Sequence, residues 1–359
     1  MGNLRSIEWA AFRDLSPEEK TPYLGDNGRI FHTLYAQQFS RAQLDNLGRL
    51  ATRIRGIAKS KEGMLFLKSL LTHKRAMLYF TQPSTRTFLS FCAATEILGM
   101  PHGEVRDRAT SSELKGESAE DSVRTFSSYF DLIIMRSELG GLAERMAWVL
   151  SNADRPVPVV NAGSGKDQHP TQALLDVYTL QRSFERRGGI DGKHIVFVGD
   201  LLRGRTVRSL ACLLSNYEDV ELTFVAPPSL QMAREILDQL DAHGVSFRLT
   251  DELLSLLPEA DAVYMTRVQD EWDEVSGESA AIDVSRYSLG RGELDRLKQD
   301  AIIMHPLPRR NEIAIEVDAD PRAMYWRQMR NGMWIRTALI ATVFGCEGEI
   351  EAYDAGTMV

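Results

Sequence analysis

Seven short apolar runs, at 76–80, 132–136, 157–161, 194–199, 221–226, 262–266 and 301–305, alternate with amphipathic helical stretches along this 359-residue chain. No other feature restricts the fold as tightly. Runs that are β-branched or apolar on both faces suit strands buried in parallel sheets. Parallel neighbours need a crossover, which is usually a helix. The expected class is α/β, built from two doubly wound parallel-sheet domains, because the length suits two domains better than one. A second βα series begins at Lys193-His-Ile-Val-Phe-Val-Gly199, so the division is expected within the helix after Gln172. Segment 40–59 opens at Ser40 and carries Leu44, Leu47, Leu50 and Ile54 on one helical face. The closing amphipathic helix, 329–344, is expected to return to the first domain. The expected boundaries are 31–183 plus 328–359 for that domain and 184–327 for the second. Residues 1–30 are polar and without periodicity, and read as a loose N-terminal extension.

Composition excludes several classes. Hydrophobic content of 43% and charged content of 26% are ordinary for a globular chain with a full core. A net charge of −8 argues against a general nucleic-acid binder while permitting a local cationic pocket. There is no apolar run long enough for a bilayer and no basic-then-apolar leader, so no membrane partner is expected. Cys92, Cys212 and Cys346 are far apart in apolar helical stretches. They read as small core residues of a reducing, cytoplasmic compartment. No His, Cys and carboxylate set has metal-ligand spacing, so neither metal nor cofactor is expected.

The polar motifs cluster at strand ends. Ser84-Thr85-Arg86-Thr87 lies where the run 76–80 gives way to a helix. Hydroxyls, a guanidinium and free N–H groups at a helix N-terminus form a phosphate cradle, although Ser and Thr also serve as plain caps. Arg136 ends the next run, and His169-Pro170-Thr171-Gln172 opens a helix after a glycine-containing loop. Arg205 follows the run 194–199, Arg267 and Gln269 end the run 262–266, and His305-Pro-Leu-Pro-Arg309 ends the last. Taken singly, Arg136 and Arg267 could be surface arginines, His169 a cap and His305 a satisfied core histidine. Ligands of open α/β sheets bind at the C-terminal strand ends, and in a two-domain version the site falls in the interdomain cleft. Gly199-x4-Gly204-Arg205-Thr206 nearly matches a nucleotide P-loop. Arginine replaces its lysine, and Asp261 begins a strand rather than ending one, which makes a P-loop NTPase the weaker alternative.

Ser-Thr-Arg-Thr, His-Pro-Thr-Gln and His-Pro-Leu-Pro-Arg, in this order and spacing, resemble the aspartate/ornithine carbamoyltransferase family over about 30–344. Tyr264-Met-Thr-Arg-Val-Gln269 and Pro306, where the ornithine branch carries cysteine, resemble the aspartate branch. The resemblance implies carbamoyl transfer from carbamoyl phosphate to L-aspartate, without metal or covalent intermediate. It makes 31–183 plus 328–359 the carbamoyl phosphate-binding domain and 184–327 the aspartate-binding domain. Ser84, Thr85, Arg86 and Thr87 would hold the phosphate. Thr87, Arg136 and His169 would polarise the carbonyl. Gln172 and the backbone carbonyls of Pro306 and Leu307 would orient the carbamoyl amine. Arg205, Arg267 and Gln269 would grip the aspartate carboxylates. Ser111 and Lys115 match residues that family members donate to a neighbouring active site, which implies a homotrimer. A regulatory or partner subunit is not specified by the sequence. A carbamoyltransferase for another amino acid and a catalytically silent subunit stand as rivals.

Four positions depart from the family pattern. Gln82 replaces a glutamate, Phe88 an arginine and Cys92 a second glutamate, while Trp272 stands where aspartate-branch members carry an arginine. Phe88 and Cys92 are four apart on one helix face, so a charged pair has become an apolar one. Gln82 and Trp272 together remove the charged latch that holds closed domains together in the family. Aspartate saturation of the purified trimer should therefore be hyperbolic; a clearly sigmoidal curve in a steady-state assay would refute the missing latch.

Overall fold

The computed structural model describes residues 3–26, 28–106, 116–164, 168–270, 283 and 285–354. The chain forms two compact units, Met1–Leu174 with Gly332–Val359, and Leu175–Asn331. The chain passes between them within two helices, Pro170–Phe184 and Tyr325–Phe344.

A two-residue antiparallel pairing joins β1 (Gly25–Asp26) to β2 (Arg29–Ile30). The sheet of the first unit contains β3 (Ala76–Phe80), β4 (His102–Val105), β5 (Leu132–Ser137) and β6 (Val159–Ser164), all parallel, in the order β4-β3-β5-β6. That of the second contains β7 (His194–Val198), β8 (Glu221–Val225), β9 (Ser246–Thr250), β10 (Ala262–Met265) and β11 (Ile302–Met304). These are also parallel, in the order β11-β10-β7-β8-β9. Every residue of β3, β5, β6, β7, β10 and β11 is buried, as strands covered on both faces require.

The seven apolar runs are all strands, and two further strands emerge at the sheet edges. His102–Val105 and Ser246–Thr250 are partly exposed along their length, so they carry polar residues and no apolar run. Their pairing is decided by the neighbouring strand rather than by their own composition. Helix Arg41–Ile57 starts as its sequence indicates, with Ser40 and Gln43 in a reciprocal capping box.

The expectation of a loose 1–30 extension is corrected. Its described residues form short helices at Trp9–Arg13 and Pro17–Lys20, and Leu4, Phe12 and Leu24 join the core beside the helix Leu142–Ser151. The Trp148 Nε1–H donates to the Ile7 carbonyl at 2.9 Å. Arg5 donates to the carbonyls of Ser151 and Ala153. The Lys20 ammonium is buried against Glu144 at 2.6 Å, with the rings of Phe12 and Tyr35 at 5.4 and 5.7 Å. Three widely spaced apolar residues show no period, yet each contributes about 1.5–3 kcal/mol when buried. Tertiary burial orders a segment that its own pattern does not.

The cysteines are free: Cys346 is buried, Cys92 and Cys212 half-buried. Burial, reinforced by nearby carboxylates, pushes the Cys92 and Cys346 thiols up to about 11. They are therefore protonated, unreactive packing groups at neutral pH.

His32 is a buried polar joint of the first unit. Its Nδ1 accepts the Val159 N–H at 3.1 Å, so Nε2 carries the proton and donates to Ser151 Oγ at 2.8 Å. Burial lowers its pKa to about 3. The unfolded chain takes up this proton near pH 6.5 whereas the folded chain does not, so stability falls as the pH drops below about 6.5. Urea unfolding should show this loss between pH 7 and 5. His32→Gln should flatten the slope by up to about 1.4 kcal/mol per pH unit; an unchanged slope would refute neutral burial.

Candidate active site

The first group of site residues gathers at the C-terminal edge of the four-stranded sheet. After β3 the chain turns at residues 81–84, where the Thr81 and Gln82 N–H groups donate to the Arg136 carbonyl at 3.0 and 3.3 Å. Ser84 then adopts an extended backbone and begins the helix Thr85–Ile97, without a side-chain capping bond. The plain-cap reading of Ser84 thus does not describe its use. Thr85 and Arg86 are exposed, and Thr87 is buried at the first turn. This turn presents N–H groups and the positive end of the helix dipole toward any bound anion.

Arg136 is the penultimate residue of β5 and is 9% exposed, with Nη1 donating to the Ala162 carbonyl at 3.1 Å. His169, also buried, lies between two hydroxyls, Thr87 Oγ1 at 3.4 Å from Nε2 and Thr171 Oγ1 at 3.5 Å from Nδ1. The Gln172 N–H donates to the His169 carbonyl at 3.0 Å, which places Gln172 in the same first turn. A guanidinium, a hydroxyl and an imidazole thereby converge, a donor set suited to an oxygen that gains negative charge.

Three residues that the sequence reading did not select make this convergence possible. Gly163 has φ +112°, and a Cβ there would stand 2.7 Å from Arg136 Nη1 and 3.4 Å from the His169 ring. Asn161, buried in β6, holds the glycine loop: its Oδ1 accepts the Gly163 N–H at 2.8 Å and its Nδ2 donates to the Leu34 carbonyl at 3.1 Å. Arg336, buried in the helix Tyr325–Phe344, donates to Ser90 Oγ at 2.7 Å and to Thr171 Oγ1 at 3.5 Å. Its guanidinium lies 4.9 Å from the Phe91 ring centroid, tying the Ser84–Thr87 helix to the neighbour of His169. The run Asn161-Ala-Gly-Ser-Gly carried a signal for the first two. Arg336 had none, lying about 165 residues beyond the side chain it supports.

The second group lies at the C-terminal edge of the five-stranded sheet. Gly199, at φ +116°, lets the end of β7 approach Thr266, whose carbonyl oxygen would stand 2.2 Å from a Cβ. Asp200, fully buried, then accepts the Arg203 N–H at 3.0 Å and the Gln269 N–H at 3.1 Å. A carboxylate thus engages an N–H of the loop that resembles a P-loop, and joins it to the Arg267–Gln269 segment. Arg205 is the first residue of the helix Arg205–Leu214. Arg267 is mostly buried, and Asp270 links it at 3.7 Å to Arg310 at 2.8 Å. Pro306 and Leu307 follow β11, adjacent to β10 in the sheet. Ser111, Lys115 and Trp272 lie outside the described residues. Among the described residues no group of three or more His, Cys, Asp or Glu side chains is arranged to hold a metal ion.

Both halves match carbamoyltransferase models. The family model described as the aspartate/ornithine carbamoyltransferase carbamoyl-P binding domain matches residues 32–182. The Asp/Orn binding domain of the same family matches residues 191–343. The chain belongs to the aspartate/ornithine carbamoyltransferase family. It is 41% identical over 327 residues to aspartate carbamoyltransferase 3, chloroplastic, of Pisum sativum, covering 88% of this chain and 78% of that protein. Identity to the aspartate carbamoyltransferase catalytic subunit of Vibrio cholerae is 40% over 314 residues, covering 87% and 96%. Among solved structures, aspartate transcarbamoylase of Trypanosoma cruzi in complex with N-(phosphonacetyl)-L-aspartic acid aligns with a TM-score of 0.79 and 34% identity, covering 87% and 95%. The catalytic subunit of M. jannaschii aspartate transcarbamoylase aligns at 0.78 with 35% identity, covering 88% and 99%.

Gly163→Ala should push the Arg136 guanidinium and the His169 ring out of register. Carbamoyl transfer should fall about 100-fold in kcat/KM, while circular dichroism shows a folded protein. A variant within threefold of the parent would show that close approach at Gly163 is dispensable.

Proposed function

We propose that this protein is an enzyme of pyrimidine synthesis that transfers the carbamoyl group of carbamoyl phosphate to the amine of L-aspartate. The convergence of Arg136, Thr87 and His169 beside an open helix N-terminus carries the reading, because it pairs a phosphate cradle with donors for a carbonyl oxygen. The Trypanosoma cruzi enzyme has been crystallised with carbamoyl phosphate and aspartate, which supports the same substrates here.

In this reading Ser84, Thr85, Arg86 and Thr87 hold the phosphate, and Arg136 spans phosphate and carbonyl oxygen. The aspartate nitrogen attacks the carbonyl carbon, and Thr87, Arg136 and His169 stabilise the oxyanion that forms. The bond from carbon to the bridging phosphate oxygen then breaks. Phosphate leaves with the electron pair and takes the amine proton, giving N-carbamoyl-L-aspartate and hydrogen phosphate. Gln172 and the carbonyls of Pro306 and Leu307 orient the carbamoyl amine. Arg205, Arg267 and Gln269 bind the aspartate carboxylates, with Asp270 competing for the Arg267 charge.

Ser111 and Lys115 would act on a neighbouring protomer's substrate, so the working form we propose is a homotrimer, checkable by light scattering. A cytoplasmic location fits three free thiols; the Pisum sativum relative is chloroplastic by name. No helix among the described residues is long and apolar enough to cross a membrane.

The decisive assay measures carbamoyl-amino acid formed from carbamoyl phosphate with aspartate or ornithine. Turnover with aspartate alone is expected, and Arg267→Ala should raise the aspartate KM about 10- to 100-fold, as loss of a charge-assisted pair implies. Turnover with neither acceptor would overturn the assignment.

A further inference from the structure

Leu307 has φ +55°, in the left-handed region that residues with a Cβ seldom enter. Polar contacts hold it there. Its N–H donates to His305 Nδ1 at 2.8 Å, which leaves the ring proton on Nε2, and Nε2 donates to Glu312 Oε1 at 2.7 Å. The Glu312 carboxylate also accepts the Arg310 N–H, at 3.0 and 3.1 Å, closing a ring of contacts over residues 305–312. Burial opposes the charge on Glu312, but the bond from His305 and the backbone N–H groups outweigh it and keep the carboxylate ionised. Behind the ring, the His305 N–H donates to Gln328 Oε1 at 2.9 Å, and Gln328 Nε2 donates to Asp176 at 2.7 Å. The Tyr264 hydroxyl donates to the other Asp176 oxygen at 2.8 Å.

We propose that Glu312 is a positioning residue for carbamoyl phosphate, acting through His305 to aim the Leu307 carbonyl at the carbamoyl amine. The inference rests on the assignment of the Pro306 and Leu307 carbonyls made under the proposed function. A carbonyl supports an amine only when the N–H points at it, and the bond weakens steeply with misalignment. His305 cannot set that aim alone. Its ring accepts from Leu307 only in the Nε2–H tautomer and correctly rotated, and Glu312 favours that tautomer over Nδ1–H and fixes the rotation by taking the Nε2–H. Without Glu312 the φ of Leu307 loses its restraint and relaxes toward the ordinary negative range.

Carbamoyl phosphate and acetyl phosphate isolate the contacts made to the carbamoyl amine, the Leu307 carbonyl's among them, since they differ only by NH2 against CH3. Dissociation constants of both, and of inorganic phosphate, are measured on the intact protein, Glu312→Ala and Glu312→Gln, with thermal melts to check folding. The parent should prefer carbamoyl over acetyl phosphate by about tenfold, the equivalent of one well-made hydrogen bond. Glu312→Ala should lose most of that preference while its affinities for acetyl phosphate and phosphate stay within about twofold. Glu312→Gln keeps an oxygen for the Nε2–H and should retain the preference. If the alanine variant does not fold, Glu312→Asp, one methylene shorter, gives the same readout. Equal weakening of all three ligands, or an undiminished preference in Glu312→Ala, would overturn the positioning role and leave the proposed function intact. A parent without any preference would instead overturn the carbonyl assignment beneath it.

Discussion

Uniform strand direction is the constraint on which the site depends. Because all four strands of one sheet and all five of the other run parallel, each sheet collects its C-terminal ends on one edge. Segments far apart in sequence are delivered there as neighbours. In the first unit the edge receives the Ser84–Thr87 turn from β3, Arg136 from β5 and the Gly163 loop with His169 from β6. In the second it receives Asp200 and Arg205 after β7, Arg267 and Gln269 after β10, and Pro306 and Leu307 after β11. Each of these groups lies at or just beyond the C-terminal end of its own strand, where open α/β sheets place their ligand-binding loops.

What the sequence revealed follows from how far each signal reaches. A strand buried on both faces must be apolar throughout, so the seven central runs were legible. The edge strands His102–Val105 and Ser246–Thr250 were not, because half their surface meets water and their pairing is decided by neighbours. Residues suited to meet a ligand announce themselves by type and place, as the Ser-Thr-Arg-Thr turn at a helix N-terminus does. Residues that hold others in place do not. Arg336 looks like any helical arginine until its contacts with Ser90 and Thr171 are known. Glu312 resembles a surface carboxylate until His305 is found against it. The bland reading of His305 as a satisfied core histidine describes its bonds correctly, and those bonds are what shape the Leu307 turn.

The departures from the family pattern acquire a local logic. Phe88 is buried edge-on against Phe80, with ring centroids 5.4 Å apart, in the first turn of the helix that Ser84 opens. The Arg106 guanidinium lies 4.4 Å from the Phe88 ring centroid, so a cation still covers this helix from outside it. An exposed cation–π contact of this kind contributes about 0.5–1 kcal/mol. Cys92, one turn further along, is a neutral thiol, leaving no buried charge without a partner.

The seating of Lys20 has a kinetic consequence. Its ammonium is enclosed by Glu144 and two aromatic rings, and only 6% of the residue is accessible. Amine-directed reagents can reach this nitrogen only when the N-terminal arm lifts from the helix Leu142–Ser151. The rate at which Lys20 becomes labelled therefore clocks the opening of that arm in the native protein, independently of the exposed lysines, which react at once.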